Sequence, residues 1–224
     1  MIILVLKLNL RSNMASLGRF LLFIGSLFQR RESFITYVRL TLDECVKIGI
    51  GSIFIVAIVS IFIGAVTTLQ TAYNLVSPFI PNYVISLVVR DMTILELAPT
   101  VMAIVYAGKV GSNIAGELGT MRITEQIDAL DVMGINAPAY LALPKIIAGV
   151  IMIPLLNFIA IALSIYGGYM AGELSGILTH QEFVSGARET FKGFTLVFST
   201  IKAFTFAFII TSVSSYQGFY TSGG

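Results

Sequence analysis

Residues 48–89 contain no Asp, Glu, Lys or Arg, and residues 146–172 form a second uncharged stretch, interrupted by Pro154 and several glycines. A hydrocarbon layer about 30 Å thick takes roughly 20 apolar residues in helical form. Residues 146–172 can therefore cross it once, and residues 48–89 can cross it and begin to return. Charged residues make up 12% of the chain and hydrophobic ones 56%, whereas a soluble domain carries about a quarter charged residues to cover its surface. In lipid, backbone groups must be satisfied within the fold itself, which leaves helices or a closed barrel. Long continuous apolar runs, in place of ten-residue alternating segments, select helices. The predicted fold class is an all-α integral membrane protein.

Residues 14–29 hold an apolar stretch with Arg19 inside it and Arg30 and Arg31 after it, which suits a helix lying in the membrane interface. The first span is expected over residues 46–75, with Pro78 and Pro81 marking the turn. A second follows over 82–108, a polar segment over 109–145, a third span over 146–172, an outer segment over 173–192 and a fourth span over 193–220. The organisation is an N-terminal segment of residues 1–45 and one membrane domain of residues 46–224. Seven of the fourteen basic residues precede the first uncharged run, which places the N-terminus in the cytoplasm. The opening stretch has no clear small-residue cleavage site and reads as retained.

Arg90, Asp91 and Glu96 fall within the second span. Ionisable groups at membrane depth are costly and are kept where they face protein or water. Arg90 and Asp91 are read as a pair in the outer headgroup layer; Glu96 lies deeper, as a functional group or an interhelical hydrogen-bonding one. Lys202, inside the fourth span, is expected to snorkel or to pair with a neighbour, with snorkelling the preferred reading. One cysteine, Cys45, excludes an internal disulfide, and one histidine, His180, excludes a multi-histidine metal site within one chain. Cys45 reads as a small apolar residue at the membrane boundary.

The polar segment reads AGKVGSNIAGELGTMRITEQIDALDVMGI. Ile123, Ile127 and Leu130 recur at i, i+4 and i+7, and Glu125, Asp128 and Asp131 share another face. This predicts an amphipathic helix over 122–133, with Gly134 where a C-terminal cap stands. A helix resting on lipid favours Lys and Arg on its polar face; three acids and one Arg122 instead point to contact with a soluble protein. Gly108, Gly111, Gly116 and Gly119 offer small faces for close helix packing. No GxxxxGK[ST] loop exists in the chain, so if transport is powered, another subunit binds the nucleotide. No metal-ligand cluster and no nucleophile, base and orienter set is recognisable.

The same stretch closely resembles the hallmark segment of the MlaE family of ABC-transporter permeases. The likeness extends to FIGAVTTLQ in the first span, to Glu96 and Pro99, and to YQGFYTSGG at the end. It implies five membrane helices after an interfacial one, a short cytoplasmic coupling helix, and a homodimer in the bacterial inner membrane. It also implies an ABC ATPase subunit that binds ATP and Mg, a periplasmic MCE-domain protein, and phospholipid as cargo. Carried over by motif, Glu117, Met121, Arg122, Glu125, Gln126 and Asp128 belong to the region coupled to the ATPase. Glu96 belongs to the wall of the lipid cavity, with Leu69, Tyr73 and Leu75 as apolar lining. The family's Arg-Glu-Leu-Gly-Pro is here Leu95-Glu96-Leu97-Ala98-Pro99, and its AGR is AGK at Lys109. The chain stops at Gly224 where the family continues through a further helix, which suggests a fragment or, as the second alternative, a lost fifth span. No nucleic acid, catalytic group or metal is implied. Two other classes compete: a lipid-modifying enzyme with Arg90, Asp91 and Glu96 as anion clamp, base and acid, and a scaffold recruiting a soluble partner through residues 120–133.

Overall fold

The computed structural model describes residues 2–29, 33–75 and 81–221, with side chains described from Met14 onward. Arg30, Arg31 and Pro78 lie outside the described residues. Among the described residues, seven helical elements build the fold: α1 (Ile2–Ser26), α2 (Phe34–Asn74), α3 (residues 83–123), α4 (Gln126–Val132), α5 (Pro138–Leu174), α6 (His180–Arg188) and α7 (Phe194–Phe219). No strand occurs among the described residues. By length and composition α2, α5 and α7 can each cross a membrane, and α3 packs along α7 as the fourth long member.

Contacts between glycines and their neighbours fix the helix directions. Gly49 faces Met152, and Gly64 meets the carbonyl of Ser164, so α2 and α5 run parallel. Gly111 faces Ser214 and Gly119 faces Thr221, so α3 and α7 are parallel too. Asn157 donates to Ser199 at 3.3 Å, while Gly149 faces Thr211, which sets α5 against α7 in opposite senses. Helices adjacent in sequence are thus not the main packing partners. A side chain at Gly64 or Gly167 would strike the backbone of the facing helix, and small residues of this kind let membrane helices pack at van der Waals distance.

The core runs through the middle of the bundle, with Val56 from α2, Tyr106 and Ile114 from α3, Leu156 from α5 and Ala207 from α7. A second cluster closes the end where α2 begins: Phe23 and Leu27 of α1 pack against Ile127, Ala137, Ala142, Ile146 and Phe219. Asn136 donates to the carbonyl of Ser26 at 2.9 Å and also reaches that of Gln29, so it satisfies acceptors that the end of α1 leaves open.

Three expectations are corrected. First, α2 starts at Phe34, so Arg39, Asp43, Glu44 and Lys47 belong to the long helix; nothing in residues 34–46 breaks a helix. Second, α3 is not uniform: α-helical Tyr83–Met92, Met102–Tyr106 and Ser112–Ile123 alternate with π-helical Thr93–Val101 and Ala107–Gly111. Pro99 has no N–H for the carbonyl four residues back, that of Leu95, and its ring crowds that carbonyl; the helix widens there. Third, the helix expected over 122–133 is broken. α3 ends at Ile123, Glu125 takes the left-handed conformation at φ 58°, and α4 begins at Gln126. The Thr124 hydroxyl donates back to the Thr120 carbonyl at 2.8 Å, competing with helix continuation.

The cap at Gly134 is as expected. Its φ is 78°, its N–H donates to Asp131, and the N–H of Ile135 donates to Leu130, the paired bonds of a Schellman ending.

Candidate functional site

The break at Glu125 decides which side chains reach solvent. Ile127 drops beneath α1 and is fully buried, and Leu130 packs beside it, whereas Ile123, on the other side of the break, stays exposed. The expected single apolar face is therefore split. Glu125, Gln126, Asp128 and Asp131 face outward, together with the apolar Val132 and Met133. Arg122 spans the break to Asp128 at 2.6 Å, and Gln126 donates to Thr124 at 3.0 Å. Met121 packs inward, against both the central core and the cluster under α1. The result is an acidic tip with an apolar edge, pinned underneath by Ile127.

Glu117 is not part of that exposed tip. It enters a cluster of four charges drawn from three helices. Lys145 of α5 sits 2.6 Å from Glu117 of α3 and 2.9 Å from Glu44 of α2, and Lys47 of α2 sits 2.8 Å from Glu44 and 3.6 Å from Glu117. Partial burial pushes the Glu117 carboxyl up, but the two lysines outweigh this and hold it below the usual carboxylate value. A hollow of about 520 Å³ opens beside the cluster, lined by Met121, Tyr140 and Pro144 among others. Glu44, Lys47 and Lys145 were not singled out from the sequence. The available signal was their placement at the edges of the two uncharged runs, where charges from different helices come level.

The residues expected to line a lipid cavity are not gathered within one chain. Leu75 lines a hollow of about 370 Å³ with Thr71, Met92 and Leu97, but Leu69, Tyr73 and Glu96 do not. Tyr73 is 78% exposed. Glu96 pairs with Lys202 at 3.0 Å, which corrects the snorkelling reading of Lys202. The same ammonium donates to the Leu95 carbonyl at 2.8 Å, the acceptor that Pro99 leaves without its α-helical partner. Of the four glycines, Gly111 and Gly119 face α7, while Gly108 and Gly116 have no neighbour. Closer packing occurs at glycines not singled out: Gly64, Gly167, Gly186 and Gly218 each approach the backbone of another element.

Arg90 and Asp91 pair at 2.8 Å, as expected. Arg90 also donates to the carbonyls of Ala187 and Glu189 at the end of α6. Its guanidinium is committed to holding α6, and Glu96 is paired elsewhere with Lys202, so no acid, base and anion clamp is assembled from these three. The start of α6 is fixed by a capping box between Thr179 and Glu182, and Asn82 donates to Glu182 at 3.2 Å.

Residues 41–224 match the family described as Permease MlaE. A probable ABC transporter permease protein of Rickettsia bellii is 34% identical over 188 residues, covering 84% of this chain and 72% of that one. A probable ABC transporter permease protein of Synechocystis sp. is 30% identical over 83% of this chain and 70% of its own length. The intermembrane phospholipid transport system permease protein MlaE of Haemophilus influenzae is 31% identical over 77% of this chain and 66% of its own length. A bundle of long apolar helices with these relatives defines a multi-pass membrane permease of the ABC-transporter class. The chain belongs to the MlaE permease family.

Proposed function

We propose that this permease moves phospholipids between the inner membrane and the outer envelope, driven by a separate ABC ATPase that docks on residues 120–133. The observation that carries the reading is the acidic tip: Glu125, Gln126 and Asp128 point outward beside exposed Val132 and Met133, while buried Ile127 anchors the tip to the membrane helices. A loop with that anchoring passes a push from a soluble partner into the bundle. The name of the Haemophilus relative supports phospholipid as the cargo.

On this reading the ATPase supplies the ATP and Mg site and this chain is not itself an enzyme. Two copies form the lipid path, with Leu69, Tyr73, Leu75 and Glu96 meeting across the dimer and an MCE-domain protein receiving the lipid outside. The N-terminus faces the cytoplasm, because the basic residues concentrate there. Native mass spectrometry of the chain co-expressed with its ATPase tests the docking. The wild-type chain should retain two ATPase copies and bound phospholipid, and the Glu125→Lys, Asp128→Lys double variant should lose the ATPase. Retention of the ATPase by the double variant sinks the docking assignment.

A further inference from the structure

The four-charge cluster has more pairings than it needs. Lys145 is only 4% exposed and holds two carboxylates, one from α2 and one from α3. Each of those carboxylates has a second cation within reach, Lys47, which is itself half exposed. A buried ammonium stripped of all its partners is strongly unfavourable. Here Lys145 never has to be stripped: if Glu117 departs, Glu44 remains at 2.9 Å. Nor does Glu117 depart into nothing, because Lys47 already lies 3.6 Å away. The hollow of about 520 Å³ beside Glu117, Met121 and Lys145 leaves room for the end of α3 to shift. Beyond Glu117, α3 runs on to the break at Glu125 and the exposed tip.

We propose that this cluster is a two-position latch in which Glu117 exchanges Lys145 for Lys47 as the end of α3 moves, passing motion at the tip to α2 and α5. The proposal rests on the reading of the chain as an ATPase-driven lipid permease. Lys47 is a positioning residue that offers the second seat, and Lys145 is the pivot that keeps α2 and α5 joined in both positions. Discrete alternative pairings of this kind give a packed helix end two states instead of a continuum.

The test uses the chain co-purified with its ATPase in liposomes of phosphatidylethanolamine and phosphatidylglycerol carrying a fluorescent phosphatidylethanolamine. The readout is lipid moved per ATP hydrolysed. Lys47→Gln should lower that ratio tenfold or more while hydrolysis continues, and Lys47→Arg should restore it. A ratio equal to wild type in Lys47→Gln overturns the latch, because a static bridge at Lys145 keeps both of its carboxylates in that variant. A second readout places spin labels at Leu42→Cys and Thr124→Cys in a Cys45→Ala background. Two distance populations are expected with nucleotide in the wild-type chain and one in Lys47→Gln; one population in both overturns the latch whatever the transport assay gives. A wild-type complex that shows two populations yet moves no lipid on hydrolysis overturns the lipid-transport reading and leaves the latch standing.

Discussion

Arg90 and Lys145 occupy opposite ends of the bundle, each is 4% exposed, and each ties together elements distant in sequence. Their partners differ in kind. Arg90 is held by Asp91 and by two backbone carbonyls at the end of α6, acceptors whose positions are set by the helix end itself. Among the described residues, the partners of Lys145 are carboxylates on rotatable side chains, with a second lysine competing for both. A planar guanidinium with five fixed donors suits the first arrangement, and a compact ammonium suits the second. One end is fastened and the other can be rearranged, although burial and charge are alike.

Four experiments bear on that contrast. Lys145→Met should have the largest effect, about 3 kcal/mol, because Glu44 and the part-exposed Glu117 lose their buried counter-ion and are left to share the half-exposed Lys47; thermal unfolding in detergent reads it. Arg90→Lys should cost about 2 kcal/mol, since a single ammonium cannot serve Asp91 and two carbonyls together. If the two variants unfold alike, the distinction between fastened and exchangeable cations is lost. Lys202→Met should cost about 1 kcal/mol, through loss of its bond to the Leu95 carbonyl, and Glu96→Gln should cost less, because that bond survives.

The smallest effect is local and depends on pH. Glu117 and Glu182 both lie below the ordinary carboxylate value, Glu182 chiefly because the Thr179 N–H donates to it. Stabilisation from each is present above the unfolded carboxyl's value and is lost as pH falls through the lower folded value. Acidification should therefore lower the amide protection factors, taken relative to the intrinsic exchange rate at each pH, over 112–123 and in the first turn of α6, while the last turn of α6, held by the non-titrating Arg90, stays protected. Uniform exchange along α6 would show that Arg90 does not hold its end.

Much of the fold was legible in the sequence because it follows from what lipid forbids. The uncharged runs located α2 and α5, the Ile127 and Leu130 part of the periodicity falls on the short helix α4, and Gly134 marked its end. What stayed hidden depends on registry between helices. No local pattern shows that Glu44, Glu117 and Lys145 come level, because that depends on α2 and α5 running parallel at contact distance through Gly64 and Gly167. The break at Glu125 was missed for a related reason. The stretch TMRITEQIDAL has helical periodicity throughout, and the break is accompanied by a tertiary contact no local pattern shows, the burial of Ile127 against Phe23 and Leu27. The lipid-cavity residues, taken from resemblance, do not converge within one chain.

Lys202 completes in space what Pro99 leaves open in α3, yet it is made 103 residues later. Until α7 arrives beside it, the Leu95 carbonyl lacks the ammonium that donates to it in the finished bundle, and Glu96 lacks its counter-charge. In a nascent membrane protein both are reasons for the middle of α3 to stay near water or near the insertion machinery. The second span is therefore synthesised early but gains its full set of polar partners only when α7 packs beside it.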